Sequence, residues 1–214
     1  MAIRLVVFDI DGTILQNYSW QYIHQSLGTW KTAKGYADLF FENQITYEEW
    51  AKLDAALWKG QTLARITKII KKMSYMKGAK ETLATLKAKA IKIFLLSAGL
   101  SQVAQRIQKE TETNGYAANR LVVRNGFLTG EVEVNVSFYD KDKLLPQILR
   151  KFNVTLGECA AVGDDLTLLP LFKKVALAIA FNPINETVER NAHITIRKKD
   201  LRNILPYLIE TNET

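Results

Sequence analysis

Apolar runs and amphipathic segments alternate along most of the chain. Residues 3–8, 91–96 and 160–162 are almost wholly apolar runs that end at polar turn residues, a pattern typical of parallel strands buried on both faces. Helical periodicity lies between and after these runs, which predicts an α/β fold with a doubly wound, mostly parallel, Rossmann-like sheet. The other predicted elements are helices at 79–90, 101–109, 142–152 and 201–209, and strands at 175–179 and 194–196.

The segment of residues 18–76 departs from this alternation. It contains no convincing strand run, carries all four tryptophans and has the pattern of several amphipathic helices, which predicts a helical cap inserted after the first strand. We therefore expect an α/β core made of residues 1–16 and 77–214, and a helical cap subdomain made of residues 17–76.

A second departure lies at residues 120–136. Two β-rich runs there flank Asn125-Gly126, and a further turn signal follows at Thr129-Gly130. Such a pattern predicts a small β-hairpin flap.

Composition limits the classes of protein to which the chain can belong. Of its 214 residues, 48% are hydrophobic and 24% are charged, the balance of an ordinary globular protein with a substantial core. A net charge of +7 suits a phosphorylated partner. The lysines and arginines are spread along helical stretches, as on solvated helix faces, so we expect a small phosphorylated metabolite as partner and no nucleic acid.

The sequence also indicates the location of the protein and the state of its cysteine. The start of the chain lacks the features of a secretory signal, and no run approaches the roughly 20 apolar residues of a membrane span. A cytoplasmic location without a membrane partner is therefore expected. Because Cys159 is the single cysteine and lies in an apolar run, we expect a buried, inert thiol and no internal disulfide.

Two aspartates, Asp9 and Asp11, follow the first predicted strand and precede Gly12 and Thr13. Their spacing places both carboxylates on one face of the strand, at the end that opens into the ligand crevice of an α/β sheet. A strand-ending Asp followed by an Asp-Gly turn is the plainer interpretation. It does not explain two unpaired acids behind an apolar strand, where burial without a cation is costly.

The second predicted strand ends at Ser97-Ala98-Gly99, before the helix that is predicted to start at residue 101. A hydroxyl and backbone N–H groups in such a turn can hold a phosphoryl oxygen. Ser and Gly at this position also commonly serve only as a turn and helix cap.

A third polar strand end carries Gly163, Asp164 and Asp165. Adjacent carboxylates need a positive partner, and Mg²⁺ supplies one because it takes carboxylate oxygens together with water and phosphate. Helix capping by these acids is the alternative.

Lys141 and Lys143 open the helix before that strand, where the helix dipole disfavours a cation. One of them could point into the site and offset the charge of the carboxylates and a phosphoryl group. Surface solvation is the default for both.

Together these four groups resemble the haloacid dehalogenase superfamily, whose motifs run in the same order: a D-x-D-G-T strand end, a Ser or Thr strand end, a Lys and an acidic strand end. The resemblance extends over nearly the whole chain. It is strongest to the phosphoserine phosphatase-like branch, which carries a helical cap after the first motif. Segments 118–121, 128–132 and 199–202 also look like that branch.

The resemblance implies a phosphatase in which Asp9 is the nucleophile and Asp11 acts first as general acid and then as base. Spacing in the family pattern favours Lys141 over Lys143 as the motif lysine. Catalysis would rest on Asp9, Asp11, Ser97 and Lys141. The phosphate would be held by Asp11, Gly12, Ser97, Ala98 and Lys141.

The resemblance also implies a Mg²⁺ cofactor, bound by Asp164, the Asp9 carboxylate and the Asp11 backbone carbonyl. Members of the family often continue with Asn and Asp, whereas Thr167 and Leu168 stand here. Asp165 is therefore taken as the substitute acid at the metal site.

The residues at the expected substrate-binding positions differ from those of the phosphoserine phosphatases. Those proteins use a cap glutamate nine positions after the nucleophile and a later cap arginine to grip serine, and this chain has Tyr18 and, by ungapped comparison, Asp54 there. We expect Tyr18 to contact the substrate, and the pocket to accept a less charged or aromatic phosphate ester. Most cap aromatics are expected to build the cap's own core, and His24 and His193 are expected to pack rather than catalyse.

Other functions remain in competition with this one. The chain could be a genuine phosphoserine phosphatase that reads its substrate through different cap residues. It could also be a phospho-acceptor domain or a phospholigand-binding protein without turnover, although the cap and the presence of both Asp9 and Asp11 argue against these. No P-loop or dinucleotide glycine motif occurs, so no nucleotide cofactor is expected.

Overall fold

A seven-stranded sheet forms the centre of residues 2–209, the part of the chain that the computed structural model describes. The strands are β1 (Leu5–Phe8), β2 (Lys92–Leu100), β3 (Gly115–Arg124), β4 (Phe127–Glu133), β5 (Cys159–Gly163), β6 (Leu177–Phe181) and β7 (Ile194–Ile196). They lie in the order β4-β3-β2-β1-β5-β6-β7. Every neighbouring pair is parallel except β3 and β4, which confirms the predicted α/β fold.

The helices cover both faces of this sheet. In β1, Val6 and Phe8 belong to one apolar cluster and Leu5 and Val7 to another, so the strand is buried on both sides as its unbroken apolar run predicts. The α-helices are α1 (Ser19–Leu27), α2 (Trp30–Phe41), α3 (Tyr47–Ala56), α4 (Leu63–Lys71), α5 (Ala79–Ala88), α6 (Ser101–Thr111), α7 (Leu145–Phe152), α8 (Leu169–Phe172), α9 (Glu186–Arg190) and α10 (Leu205–Ile209). Within residues 2–209 no helix is both long and apolar enough to cross a bilayer.

Several predicted boundaries shift. Helix 142–152 starts as a 3₁₀ turn, Lys141–Leu144, and becomes α-helical only at α7, which has a proline in its first turn. Helix 201–209 divides in the same way into a 3₁₀ turn, Leu201–Ile204, and α10. The strand predicted at 175–179 runs instead from Leu177 to Phe181, because the N–H of Val175 still bonds to the carbonyl of Leu171 and closes α8.

The predicted hairpin exists and extends one edge of the sheet. Its turn is at Asn125 and Gly126, which both have positive φ (51° and 80°) as a tight hairpin turn requires. The second turn predicted at Thr129-Gly130 is wrong, since both residues lie within β4. There the strand is held in line by Leu128, whose N–H and carbonyl bond to backbone groups of residues 60 and 61.

Helices α1 to α4 lie between β1 and α5, where the cap was predicted. Thr46 and Glu49 form a reciprocal capping box that starts α3, and Thr62 caps α4. Trp58 is completely buried among these helices. The division into a core and a cap subdomain stays a prediction, and its ends at Met1 and residues 210–214 lie outside the described residues.

Candidate active site

Asp9, Ser97 and Asp164 come together at the carboxyl ends of three adjacent strands. Strand β1 lies between β2 and β5, and Phe8 is in register with Leu95 and Val162, so the residues that follow meet at one edge. All three side chains are almost inaccessible to solvent. The gathering expected from separate strand ends is therefore present in the structure.

Lys141 reaches into this edge from its 3₁₀ turn. It is 1% exposed and its Nζ donates a 2.9 Å hydrogen bond to Oδ1 of Asp9. Burial disfavours the charged lysine, but Asp9 and Asp165 outweigh that effect and raise the Lys141 pKa above its usual range. Lys143 is exposed and bonds to Asp140 instead, so Lys141 is the lysine that meets the acids.

The Asp9 carboxylate also accepts the backbone N–H of Ile10 at 2.8 Å. Burial holds the pKa of Asp9 above its ordinary value, while the charge of Lys141 pulls it back down. The carboxylate is thus positioned by two donors and compensated by one cation.

Asp11 is held by a residue that the sequence did not single out. Its Oδ2 accepts the Oγ–H of Ser19 at 2.6 Å and the Ser19 backbone N–H at 3.0 Å. Its Oδ1 is buried and has no hydrogen-bond partner among the described residues. Burial raises the pKa of Asp11 to about 7, and the Ser19 bonds oppose that shift, which suits a carboxyl that exchanges protons near neutral pH.

Asp164 is bonded at both oxygens. Oδ1 accepts Thr13 Oγ1–H at 3.0 Å and Oδ2 accepts the phenol of Tyr18 at 2.7 Å. Burial, followed by the charges of Asp9 and Asp165, raises the pKa of Asp164 well above its ordinary value. Burial and the adjacent Asp164 likewise raise the pKa of the Tyr18 hydroxyl, so Tyr18 is a neutral donor.

Asp165 has different hydrogen-bond partners from those of Asp164. Its Oδ1 accepts the backbone N–H of Thr167 at 2.9 Å and the Thr167 hydroxyl at 2.5 Å, which caps the following 3₁₀ turn, Leu166–Leu168. Helix capping, the plainer interpretation of this acid, is therefore observed. A direct role in metal binding stays a prediction.

Gly12 allows the close approach of Asp164. Its φ is 74°, in the left-handed region, and a Cβ at this position would lie 2.0 Å from Asp164 Oδ2. Any other residue would therefore displace that carboxylate, which explains why a glycine follows the two aspartates.

Asn119 connects the site to its surroundings and was also missed by the sequence analysis. It is completely buried, and its amide nitrogen donates to the carbonyls of Ala98 and Val136 and to the Tyr47 hydroxyl. Its Oδ1 accepts the N–H groups of residues 135 and 136. One side chain thus links the end of β2, the start of α3 and the segment that leads to Lys141.

The donor set is consistent with one hard divalent cation. Within residues 2–209 no group of three or more His, Cys, Asp or Glu side chains is arranged to hold a metal. The ligands that the resemblance implies are the carboxylates of Asp9 and Asp164 and the backbone carbonyl of Asp11, and Asp165 was expected as a further acid at the site. The pKa values of Asp9, Asp11 and Asp164 are all raised. A bound cation would relieve this excess of buried negative charge, and oxygen donors with open positions are what Mg²⁺ prefers.

A cavity of about 320 Å³ extends from these strand-end groups toward helices α1, α2 and α3. Six of the eleven Phe, Tyr and Trp residues between positions 17 and 76 line it: Tyr18, Trp20, Trp30, Phe41, Tyr47 and Trp50. Phe40 and Trp58 are buried as expected of cap core residues, but the number of aromatics on the cavity wall exceeds the expectation. His24 and Asp54 lie on the same wall, whereas His193 accepts a backbone N–H from Ala178.

Comparison with known proteins agrees with this geometry. A family model described as haloacid dehalogenase-like hydrolase matches residues 3–175. A phosphoserine phosphatase of Methanocaldococcus jannaschii is 31% identical over 208 residues, which cover 96% of this chain and 97% of that protein. One of Wolinella succinogenes is 28% identical over 209 residues, covering 96% and 100%.

Solved structures give the same result. A substrate-bound phosphoserine phosphatase complex superimposes with a TM-score of 0.86 at 29% identity, covering 97% of this chain and 99% of that one. A phospho-aspartyl intermediate analogue of phosphoserine phosphatase gives 0.85 at 29% identity, covering 97% and 100%.

Proposed function

This chain belongs to the haloacid dehalogenase-like hydrolases, and from that premise we propose that it is a Mg²⁺-dependent phosphatase that hydrolyses a small phosphate monoester through an aspartyl phosphate on Asp9. The observation that carries the proposal is the convergence of Asp9, Asp11 and Asp164 around one buried lysine, Lys141.

Asp9 and Asp11 divide the chemistry between them. The Asp9 carboxylate attacks phosphorus in line, forming an acyl-phosphate bond while the bond from phosphorus to the alcohol oxygen breaks. Asp11 gives its proton to the departing oxygen. It then takes a proton from water, which attacks phosphorus, frees the Asp9 carboxylate and releases inorganic phosphate.

The remaining groups bind and orient the phosphoryl group. Lys141 offsets negative charge next to the nucleophile, and Ser97 offers its hydroxyl from the adjacent strand end. Backbone N–H groups at Gly12 and Ala98 complete the set of donors. The bond from Ser19 to Asp11 orients that carboxyl for proton transfer.

Asp9, Asp164 and the backbone carbonyl of Asp11 would hold the Mg²⁺, with Asp165 as a further acid close by. When bound, the ion neutralises charge on the phosphoryl oxygens and lowers the pKa values of the carboxylates around it. Tyr18 and Thr13 hold Asp164 in place from the side of the cap and from the turn after β1.

The alcohol part of the substrate occupies the aromatic cavity under the cap. A second candidate is phosphoserine, which the names of the relatives favour. Against it, Asp54 lines the cavity, and the ungapped comparison sets this acid at the position of the arginine that binds serine in the phosphoserine phosphatase branch. We therefore expect an ester whose alcohol lacks a carboxylate.

A phosphate-release screen tests this function. Wild-type protein should hydrolyse an aryl phosphate and several small esters with Mg²⁺ and lose activity with chelator, and Asp9→Asn should be inactive at equal folded concentration. Phosphoserine should be a poorer substrate than the best neutral or cationic ester. Undiminished activity of Asp9→Asn would overturn the mechanism, and a clear preference for phosphoserine would establish the second candidate.

A further inference from the structure

The cap end of the cavity contains an acid without a matching base. Asp54 lies on α3, is 3% exposed, and its Oδ1 has no hydrogen-bond partner within residues 2–209. Burial raises the pKa of this carboxyl. Retaining a carboxylate in such a place is costly unless something positive faces it.

His24 lies beside Asp54, but the two side chains form no hydrogen bond of standard geometry. Nδ1 of the imidazole lies 3.1 Å from Trp58 Nε1 and 2.7 Å from Thr29 Oγ1. Nε2 lies 3.5 Å from Asp54 Oδ1, and neither of these two atoms has a hydrogen-bond partner among the described groups.

No other cation from the described residues reaches this end of the cavity. Lys141 is the one Lys or Arg on the described cavity wall, and it is bonded to Asp9 at the catalytic end. His24 and the Trp50 indole N–H both lower the pKa of Asp54, but neither donates a hydrogen bond of standard geometry to this carboxyl. Asp54 therefore faces the cavity without a Lys or Arg partner among the described residues.

The walls around this acid are aromatic. Trp20, Trp30, Phe41 and Trp50 line the same cavity, and ring faces attract an ammonium group within about 6 Å of their centroids. An acid together with several aromatic rings is a combination that favours a cation which also carries apolar groups.

We propose that the cap end of the cavity binds an ammonium group of the substrate through Asp54 and the surrounding aromatic rings, so that the enzyme prefers phosphate monoesters of amino alcohols that lack a carboxylate. This proposal rests on the proposed phosphatase function. The phosphate of the ester meets Lys141, while the ammonium meets Asp54, and the two ends of the substrate match the two ends of the cavity in charge.

The same charges act against other esters. Phosphoserine would bring its carboxylate near Asp54, and like charges that are partly desolvated repel strongly. A neutral alcohol would leave the buried Asp54 without a partner, which penalises its binding relative to a cation of the same shape.

The test uses pairs of substrates that differ only in charge. Trimethylammonioalkyl phosphates of increasing chain length, beginning with phosphocholine, are compared with isosteres in which carbon replaces the nitrogen, beginning with 3,3-dimethylbutyl phosphate. We expect kcat/KM to be at least about tenfold higher for the cation in the best-fitting pair. In Asp54→Asn this ratio should fall several-fold, mainly through loss of activity on the cation, while the aromatic rings retain a smaller preference for it.

Two further variants keep the test independent of folding. Asp38→Asn removes an acid from the exposed face of α2 and should leave the ratio unchanged. Trp30→Leu removes one aromatic wall and should lower kcat/KM several-fold more for the cations than for their isosteres. Thermal melts of all variants identify any that are unfolded.

Failure of the two proposals can be told apart. If aryl phosphate is hydrolysed but no ammonium ester is preferred over its isostere, or if Asp54→Asn keeps the preference undiminished, the ammonium site is wrong and the phosphatase stands. If no ester is hydrolysed at all, the phosphatase is wrong. Calorimetric titration of Asp9→Asn with the same pairs then decides the ammonium site, with equal affinities contradicting it.

Discussion

Lys141 Nζ and Asp9 Oδ1 lie 2.9 Å apart although 132 positions separate them in the sequence, and both side chains are almost completely buried. A lysine is rarely buried unless it is paired. The pair brings the positive charge of the 3₁₀ turn Lys141–Leu144 to the end of β1. The proposed attack of Asp9 on phosphorus depends on this contact.

Replacing Lys141 tests that contact. Lys141→Met removes the charge but keeps most of the side-chain volume, so Asp9 and the phosphoryl group lose their nearest fixed cation. We expect kcat to fall by about 10²–10³-fold, measured as phosphate release from an aryl phosphate. Lys143→Met is the matched control, because Lys143 is exposed and bonds only to Asp140 among the groups near it, and its kcat should stay within about twofold of wild type.

Gly12 offers a test of the position of Asp164. In Gly12→Ala the new methyl would lie 2.0 Å from Asp164 Oδ2, so that carboxylate must move. We expect kcat/KM to fall by at least about 100-fold. Gly126→Ala is the control, since its φ of 80° imposes similar backbone strain and a Cβ there meets nothing within 4 Å. Both variants should lose about 1–2 kcal/mol of stability, and equal losses of activity would argue against the role of Asp164.

Asn119→Ala should lower both the stability of the protein and its kcat, because Asn119 holds the backbone segments next to the site. The change removes the amide donor of the Val136 carbonyl and the acceptor of the N–H groups of residues 135 and 136, and buried groups without partners cost about 1–3 kcal/mol each. We expect a lower melting temperature and an effect on kcat that is larger than the effect on KM, because the end of β2 and the segment that leads to Lys141 both lose order. Asn203→Ala, which removes a bond from a partly buried side chain far along the sequence, should leave kcat unchanged.

Asp54 predicts a pH dependence of stability. Its pKa is raised in the folded state, so the folded protein binds this proton more tightly than the unfolded chain does. The wild type therefore loses stability as the pH rises from below the unfolded pKa through the folded pKa, and Asp54→Asn does not suffer that loss. At pH 7 the variant should therefore be the more stable protein and have the higher melting temperature.

Thermal melts of both proteins across the acid range check this. The stability difference should shrink toward zero at the acid end, where Asp54 is protonated in both states. A wild type that is more stable than the variant at pH 7 would show that Asp54 is already compensated in the free protein. Such a result would also count against the ammonium site.

The sheet could be predicted because β1, β2 and β5 are buried on both faces, and that burial leaves an unbroken apolar run in the sequence. The first half of β3, starting at Gly115, was missed because its residues mix small and polar types. Gly130 was misread as a turn because a glycine with positive φ can also lie within a strand. Local pattern determines strand cores better than strand edges.

The acids of the site could be predicted from their places at strand ends, since parallel strands bring such ends together. The choice between Lys141 and Lys143 could not be made from residue types alone, because it depends on the direction of one 3₁₀ turn. Ser19 and Asn119 were missed for a related reason. Their partners are set by tertiary packing, and a buried Ser or Asn has no distinctive sequence pattern.

Capture of the covalent intermediate is the sharpest test of the proposed aspartyl phosphate on Asp9. Wild-type protein is mixed with its best ester and Mg²⁺, quenched in acid, digested and examined by mass spectrometry, with Asp9→Asn and Asp11→Asn treated in parallel. We expect one phosphoryl group on the wild-type peptide that contains Asp9 and none in Asp9→Asn. In Asp11→Asn the phosphorylated peptide should accumulate, because transfer of the phosphoryl group to water is slowed. Phosphate release by a wild type that never carries this group, or a phosphoryl group found on another residue, would contradict this proposal.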